Sequence, residues 1–148
     1  MDNENNELLE LALTEQELSQ LRIKIAKSHR TQKDWTFIRE LLQDKIVFTS
    51  EPVNEEYRKR FSLEGMLFDG EYLLLFSSID ACREYLEKYG SARYGYQLTI
   101  GSIPFATAIM AATNHQKRLL FDVNDPQGGN ILGFDGKERT LRIVKQKR

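Results

Sequence analysis

The sequence predicts an α/β (α+β) domain in which a mixed β-sheet with helices packed on it follows an N-terminal helical segment. Three observations predict this. Apolar residues recur at helical spacing through the first quarter of the chain, a hairpin signal surrounds Asp69-Gly70, and β-rich runs thereafter alternate with capped amphipathic stretches. The 148 residues fit one domain, and folding at this length removes roughly 70% of the surface an extended chain exposes. No repeat, low-complexity tract or long Pro/Gly/Ser linker divides the chain. Residues 1–148 therefore read as a single domain, with residues 1–30 as the helical segment and residues 31–148 as the α/β body.

In the helical segment, Leu8, Leu11, Ala12, Leu18, Leu21, Ile25 and Ala26 mark one long helix or two short ones, with Thr14-Glu15-Gln16-Glu17 offering a capping box in the middle. Thr31 caps a second amphipathic helix whose Trp35, Ile38, Leu41 and Leu42 share a face. Ile46-Val47-Phe48-Thr49 is β-branched and aromatic, so it reads as a strand ending near Pro52, followed by an irregular polar loop through Arg58-Lys59-Arg60. Met66-Leu67-Phe68 and Tyr72-Leu73-Leu74-Leu75-Phe76 flank Asp69-Gly70, a dipeptide whose tolerance of positive φ suits a type I′ turn. The second arm is apolar on both faces and predicts a central, covered strand.

Ser77 or Ser78 caps a helix from Ile79 to Tyr89, with Asp80 near its positive end and Gly90 placed for a left-handed C′ residue. Tyr94 to Ile100 reads as a further strand. Ser102 and Pro104 then open a helix whose Ile103, Phe105, Ala106, Ile109, Met110 and Ala112 predict the most buried helix of the fold. Arg118 to Val123 is another strand, and Asn124 to Asn130 is dense in turn formers. Ile131-Leu132 and, beyond Asp135-Gly136, Leu141, Ile143 and Val144 form the closing hairpin. The Asp69-Gly70 hairpin gives an antiparallel pair, and helical crossovers give parallel neighbours.

Cys82 is the only cysteine, which excludes an intramolecular disulfide, a multi-thiolate zinc site and a Cys-x-x-Cys redox pair. The acidic start of the chain is the wrong charge for a secretory or transit leader, and the longest apolar run, Ile103 to Ala112, has about half of the ~20 residues that a membrane-spanning helix needs. A cytoplasmic protein without a membrane segment is the expectation. Net charge is −1, yet the first 21 residues hold six carboxylates and no Lys or Arg, while Lys137 to Arg148 holds six basic residues and one acid. Such ends can attract each other or a partner, although most surface charge is simply solvated.

Few constellations offer chemistry. Only His29 and His115 are available as partners for a nucleophile, His29 in a polar connection and His115 near a helix end where it can meet carbonyl groups. Cys82 reads as a packed helical residue. Glu55-Glu56 and the pair Asp122 and Asp125 lack a diagnostic spacing, and Asp122-x-Asn124-Asp125 does not continue into an EF-hand loop. Gly128-Gly129 stands outside any phosphate-binding glycine motif. Tyr94 and Tyr96 alternate as one strand face does, and with near-zero net charge they make a poor case for nucleic acid. No cofactor or metal is implied.

A family resemblance runs from about Leu21 to Leu132. Gln32 to Gln43 leading into Lys45-Ile46-Val47-Phe48, then Leu74-Leu75-Phe76-Ser77-Ser78 before a helix, resembles the N-terminal domain of the SseB (enhanced serine sensitivity) family. Leu120-Phe121-Asp122-Val123-Asn124-Asp125-Pro126-Gln127-Gly128 is similar to that family's apolar strand entering an Asn-Pro-Gly turn. Here Ser77 replaces the usual Thr, and Asp125 is inserted between Asn124 and Pro126. The resemblance implies a fold and carries over no catalytic residue.

The sequence reading favours a bacterial, non-catalytic module that binds another protein or a second copy of itself, with the acidic N-terminal segment as one docking element. A small-ligand site or minor enzyme is the alternative, with its pocket at the strand ends, where open α/β sheets place their ligands. Its candidate residues are Phe76, Ser77, Ser78, Tyr94, Tyr96, Asn124, Asp125, Gly128, Gly129 and Asn130. An immunity-type protein that blocks a toxin is a third reading.

Overall fold

The computed structural model describes residues 11–27, 31–69, 72–90, 98–123 and 130–145. Helix α1 (Glu15–Lys27) starts at the expected capping box, with Thr14 N–H donating to Glu17 Oε1 at 3.0 Å and Glu17 N–H to Thr14 Oγ1 at 3.1 Å. It does not run back through Leu11 and Ala12, because Ala12 bridges in parallel to Ile46. Thr31 and Asp34 form a second capping box at the start of α2 (Gln32–Leu42), which buries Ile38 and Leu42. Lys24 Nζ lies 2.8 Å from Asp34 Oδ1 and ties α1 to α2.

After β1 (Ile46–Pro52), the expected irregular loop is instead α3 (Glu55–Phe61). Asn54 Oδ1 accepts from the N–H groups of Glu56 and Tyr57 at 2.9 and 3.3 Å. Glu55 and Glu56 lie in the first turn and Arg58, Lys59 and Arg60 in the last, so the charges oppose the helix dipole. None of its residues is buried. A helix held by its cap and charges has no apolar stripe for periodicity to detect.

Strands β2 (Ser62–Leu63), β3 (Met66–Asp69) and β4 (Tyr72–Leu75) form an antiparallel meander. Asp69 pairs with Tyr72 as the last residue of β3; Gly70, on which the expected turn also rests, lies outside the described residues. Ser78 caps α4 (Ile79–Tyr85), its Oγ accepting from Ala81 N–H at 3.1 Å. The chain then passes into a π-helical turn over Leu86–Gly90, so Gly90 does not follow a completed α-helix.

β5 (Leu98–Pro104) takes in Ser102, Ile103 and Pro104, which the sequence assigned to the next helix. They continue the ladder with β1, opposite Phe48, Val47 and Ile46. Helix α5 (Phe105–His115) begins after Pro104 and buries Phe105, Ala108, Ala111 and Ala112. It is amphipathic rather than fully buried, since Ala106 is exposed and Met110 is 61% exposed. Strands β6 (Arg118–Phe121), β7 (Asn130–Asp135) and β8 (Thr140–Lys145) complete the chain.

The main sheet is mixed, in the order β2-β3-β4-β6-β7-β8, with β4 and β6 parallel and the other neighbours antiparallel. β1 and β5 form a second, two-stranded sheet, where the sequence foresaw one sheet. Phe48 and Phe76 exchange backbone hydrogen bonds of 2.8 and 2.7 Å and join the two sheets. Thr49 adds a side-chain link, accepting from Leu67 N–H at 2.9 Å and donating to Leu74 C=O at 3.1 Å.

β4 is central and covered, as its apolar composition predicts. Leu73 and Leu75 pack in the larger core with Leu21 of α1, Ile38 and Leu42 of α2, and Phe105, Ala108 and Ala112 of α5. Leu74 and Phe76 point the other way, into a smaller core with Ile46, Phe48, Cys82 and Tyr85.

Candidate functional site

Two places could act as sites: the carboxyl ends of the parallel strands β4 and β6, and the outer edge of β5. At the first, Phe76 and Ser77 follow β4 and Asp122 follows β6. Ser77 is 1% exposed. Both its N–H, at 2.8 Å, and its hydroxyl donate to the Asp122 carboxylate. Asp122 N–H in turn donates to Leu75 C=O at 2.9 Å, and its φ of 52° lies in the left-handed region that Asp tolerates better than most residues. Ser78 is occupied as the cap of α4. The serine and the aspartate therefore form a latch between two strand ends.

Cys82 lies below this latch, fully buried, with Sγ 3.6 Å from Thr49 C=O. Burial pushes its thiol up to about 12, the Asp122 carboxylate pushes in the same direction, and Arg83 opposes them. It is a thiol at neutral pH and no nucleophile. His115 does not turn to the helix-end carbonyls; its Nε2 lies 3.4 Å from Glu64 Oε1. Gln116, in the left-handed conformation, closes α5 through its own N–H. Among the described residues, no cluster of His, Cys, Asp and Glu has the arrangement to hold a metal ion. No described helix is long and apolar enough to cross a membrane.

Of the sequence-nominated residues, the structure places Phe76, Ser77 and Ser78 together beside Asp122. Asn130 opens β7. Tyr94, Tyr96, Asn124, Asp125, Gly128 and Gly129 lie outside the described residues, as does His29. Asp122 is the residue whose role the sequence did not reveal. Its spacing to other acids is uninformative, and its partner Ser77 is 45 positions away.

The second place was not anticipated as a site. Between Arg93 and Lys117 the chain contains no Asp, Glu, Lys or Arg. Within that stretch Thr99, Ile100, Gly101, Ser102 and Pro104 of β5 are exposed, as are Ala106, Thr107 and Met110 of α5. β5 is also an edge. Phe48 spends its N–H and C=O on Phe76, and Phe105 N–H donates to Lys45 C=O at 2.9 Å. By antiparallel alternation Phe48 and Ser102 then form a non-hydrogen-bonded pair, and Ile100 and Ser102 turn their N–H and C=O away from β1. No hydrogen bond from the rest of the described chain reaches these outward groups. Natural edges are usually guarded by charge, a bulge or a covering element. Among the described residues this one has Pro104 at its end and no charged residue along it.

Compared with protein-family models, curated proteins and solved structures, the chain matches none.

Proposed function

We propose that this chain is a non-catalytic protein-interaction module that works through the uncharged edge of β5. The observation that carries the reading is the coincidence, on one stretch of chain, of a strand edge that no other described strand covers and the absence of Asp, Glu, Lys and Arg between Arg93 and Lys117. Interface centres are depleted in charge and enriched in Met and aromatic residues, and an open edge can add a strand from a partner. The small-ligand alternative draws less support, because the described polar side chains at the strand ends are already engaged, Ser77 with the Asp122 carboxylate and Ser78 with the backbone N–H of Ala81. A toxin-blocking immunity protein would be one form of such a module.

The order of a strand, a Ser cap and a helix at Phe76-Ser77-Ser78 agrees with an SseB-like domain, and we take that as the family reading. One buried free thiol accords with a reducing, cytoplasmic setting. Affinity capture from a lysate of the native host tests the function, with the wild-type chain and the exposed-edge variant Ile100→Lys run in parallel. A stoichiometric partner that is retained by the wild type and lost by the variant is expected. A partner held equally by both would place binding elsewhere, and recovery of no other protein would remove heteromeric binding.

A further inference from the structure

The geometry points to a second copy of this chain as the occupant of the β5 edge, joined by antiparallel pairing of β5 with β5 about a two-fold axis at Gly101. This inference rests on the reading of β5 as an interaction surface and names its partner.

Self-pairing across a two-fold axis brings each residue opposite one related to it through the axis, so a charged strand would set like charges together. β5 has no charged residue. Its outward-facing backbone groups belong to Ile100 and Ser102, which flank Gly101 symmetrically. With the axis at Gly101, Ile100 exchanges both hydrogen bonds with Ser102 of the second copy, and Ser102 exchanges both with Ile100. Gly101 then meets its own counterpart at a non-hydrogen-bonded position, where Cα atoms approach to about 4.5 Å. The space where its Cβ would project is open, with nothing within 4 Å. Shifting the axis to Ser102 would place Ile100 opposite Pro104, which has no N–H to give. The product is a continuous four-stranded sheet, β1-β5-β5-β1. It removes both open edges and relieves the marginal stability of a two-stranded ribbon.

Sedimentation velocity of the full chain over a wide concentration range tests the inference. A reversible dimer is expected, weakened at least about tenfold by Ile100→Lys, which puts charge on the edge, and by Ser102→Pro, which deletes an outward donor. Circular dichroism melts of both variants establish that they fold. Mild oxidation of Gly101→Cys should yield a covalent dimer, and Thr99→Cys should not, because only the axial position faces itself. Sedimentation as a monomer throughout, or a dimer indifferent to both edge variants, would overturn the inference. A monomer whose heteromeric partner is still lost on Ile100→Lys would leave the interaction-module reading standing and remove only the self-pairing.

Discussion

Asp122 does at the scale of one residue what a short loop would otherwise do, since its carboxylate takes both donors of Ser77 and its own N–H returns to Leu75. Asp122→Ala removes the acceptor from two donors, one of them a buried N–H, and places an alanine at a φ of 52°. A loss of about 2 to 3 kcal/mol is expected in urea unfolding, and Asp122→Asn, which keeps one acceptor oxygen and tolerates that φ, should lose about half as much. Cys82 supports a second prediction. With its thiol pushed up to about 12, it should resist iodoacetamide in the native state at about pH 8 and react as soon as denaturant opens the smaller core. Alkylation of native protein at the rate of a free cysteine would contradict that burial.

Among the elements, the turn between β7 and β8 shows how tightly the pieces are fitted. Gly136 N–H donates to Lys117 C=O at 2.8 Å, and a Cβ on Gly136 would fall 2.0 Å from Ala112 O and 2.5 Å from Lys117 O. Both obstacles are backbone, so neither can swing aside. Gly136→Ala must push the turn off the end of α5, at a cost of about 3 kcal/mol that a shift of the thermal midpoint would reveal. Helix α1 is fastened more softly, through Glu17. A hydrogen bond from the Thr14 backbone is the main cause that holds the Glu17 carboxyl below its ordinary value; burial opposes it, and the hydrogen bond and charge of Lys45, at 3.1 Å, add to the lowering. Because the folded state binds this proton less readily than the unfolded chain, the contribution is present above the unfolded value and fades as pH falls through the folded one. Wild type should therefore exceed Glu17→Gln in urea stability at neutral pH, with the gap narrowing as pH falls below the ordinary glutamate range.

For the whole molecule, the fold was legible wherever burial or a cap left a mark on neighbouring residues. β4 announced its central place through four consecutive apolar residues after Tyr72, and α2 and α4 announced their starts through Thr31 and Ser78. Helix α3 escaped notice because nothing in it is buried. The boundary between β5 and α5 was misplaced because Ser102 and Pro104 are good helix openers, and only the distant ladder to Phe48 and Ile46 makes them strand residues. The same distance explains the site: Ser77 was nominated from its local setting, whereas its carboxylate partner and the open edge of β5 depend on pairings that no local pattern encodes.

The parallel pair at the centre of the main sheet has a consequence in time. From Leu75 the chain leaves for α4, β5 and α5, and returns only at Arg118, roughly 40 residues later. At about 5–20 residues per second of synthesis, the apolar arm Leu73 to Phe76 has left the ribosome for roughly 2 to 8 seconds before β6 exists to cover its open side. During that interval the side of this apolar strand that later meets β6 is an open edge, which exposes newly made chains to edge-to-edge pairing with one another.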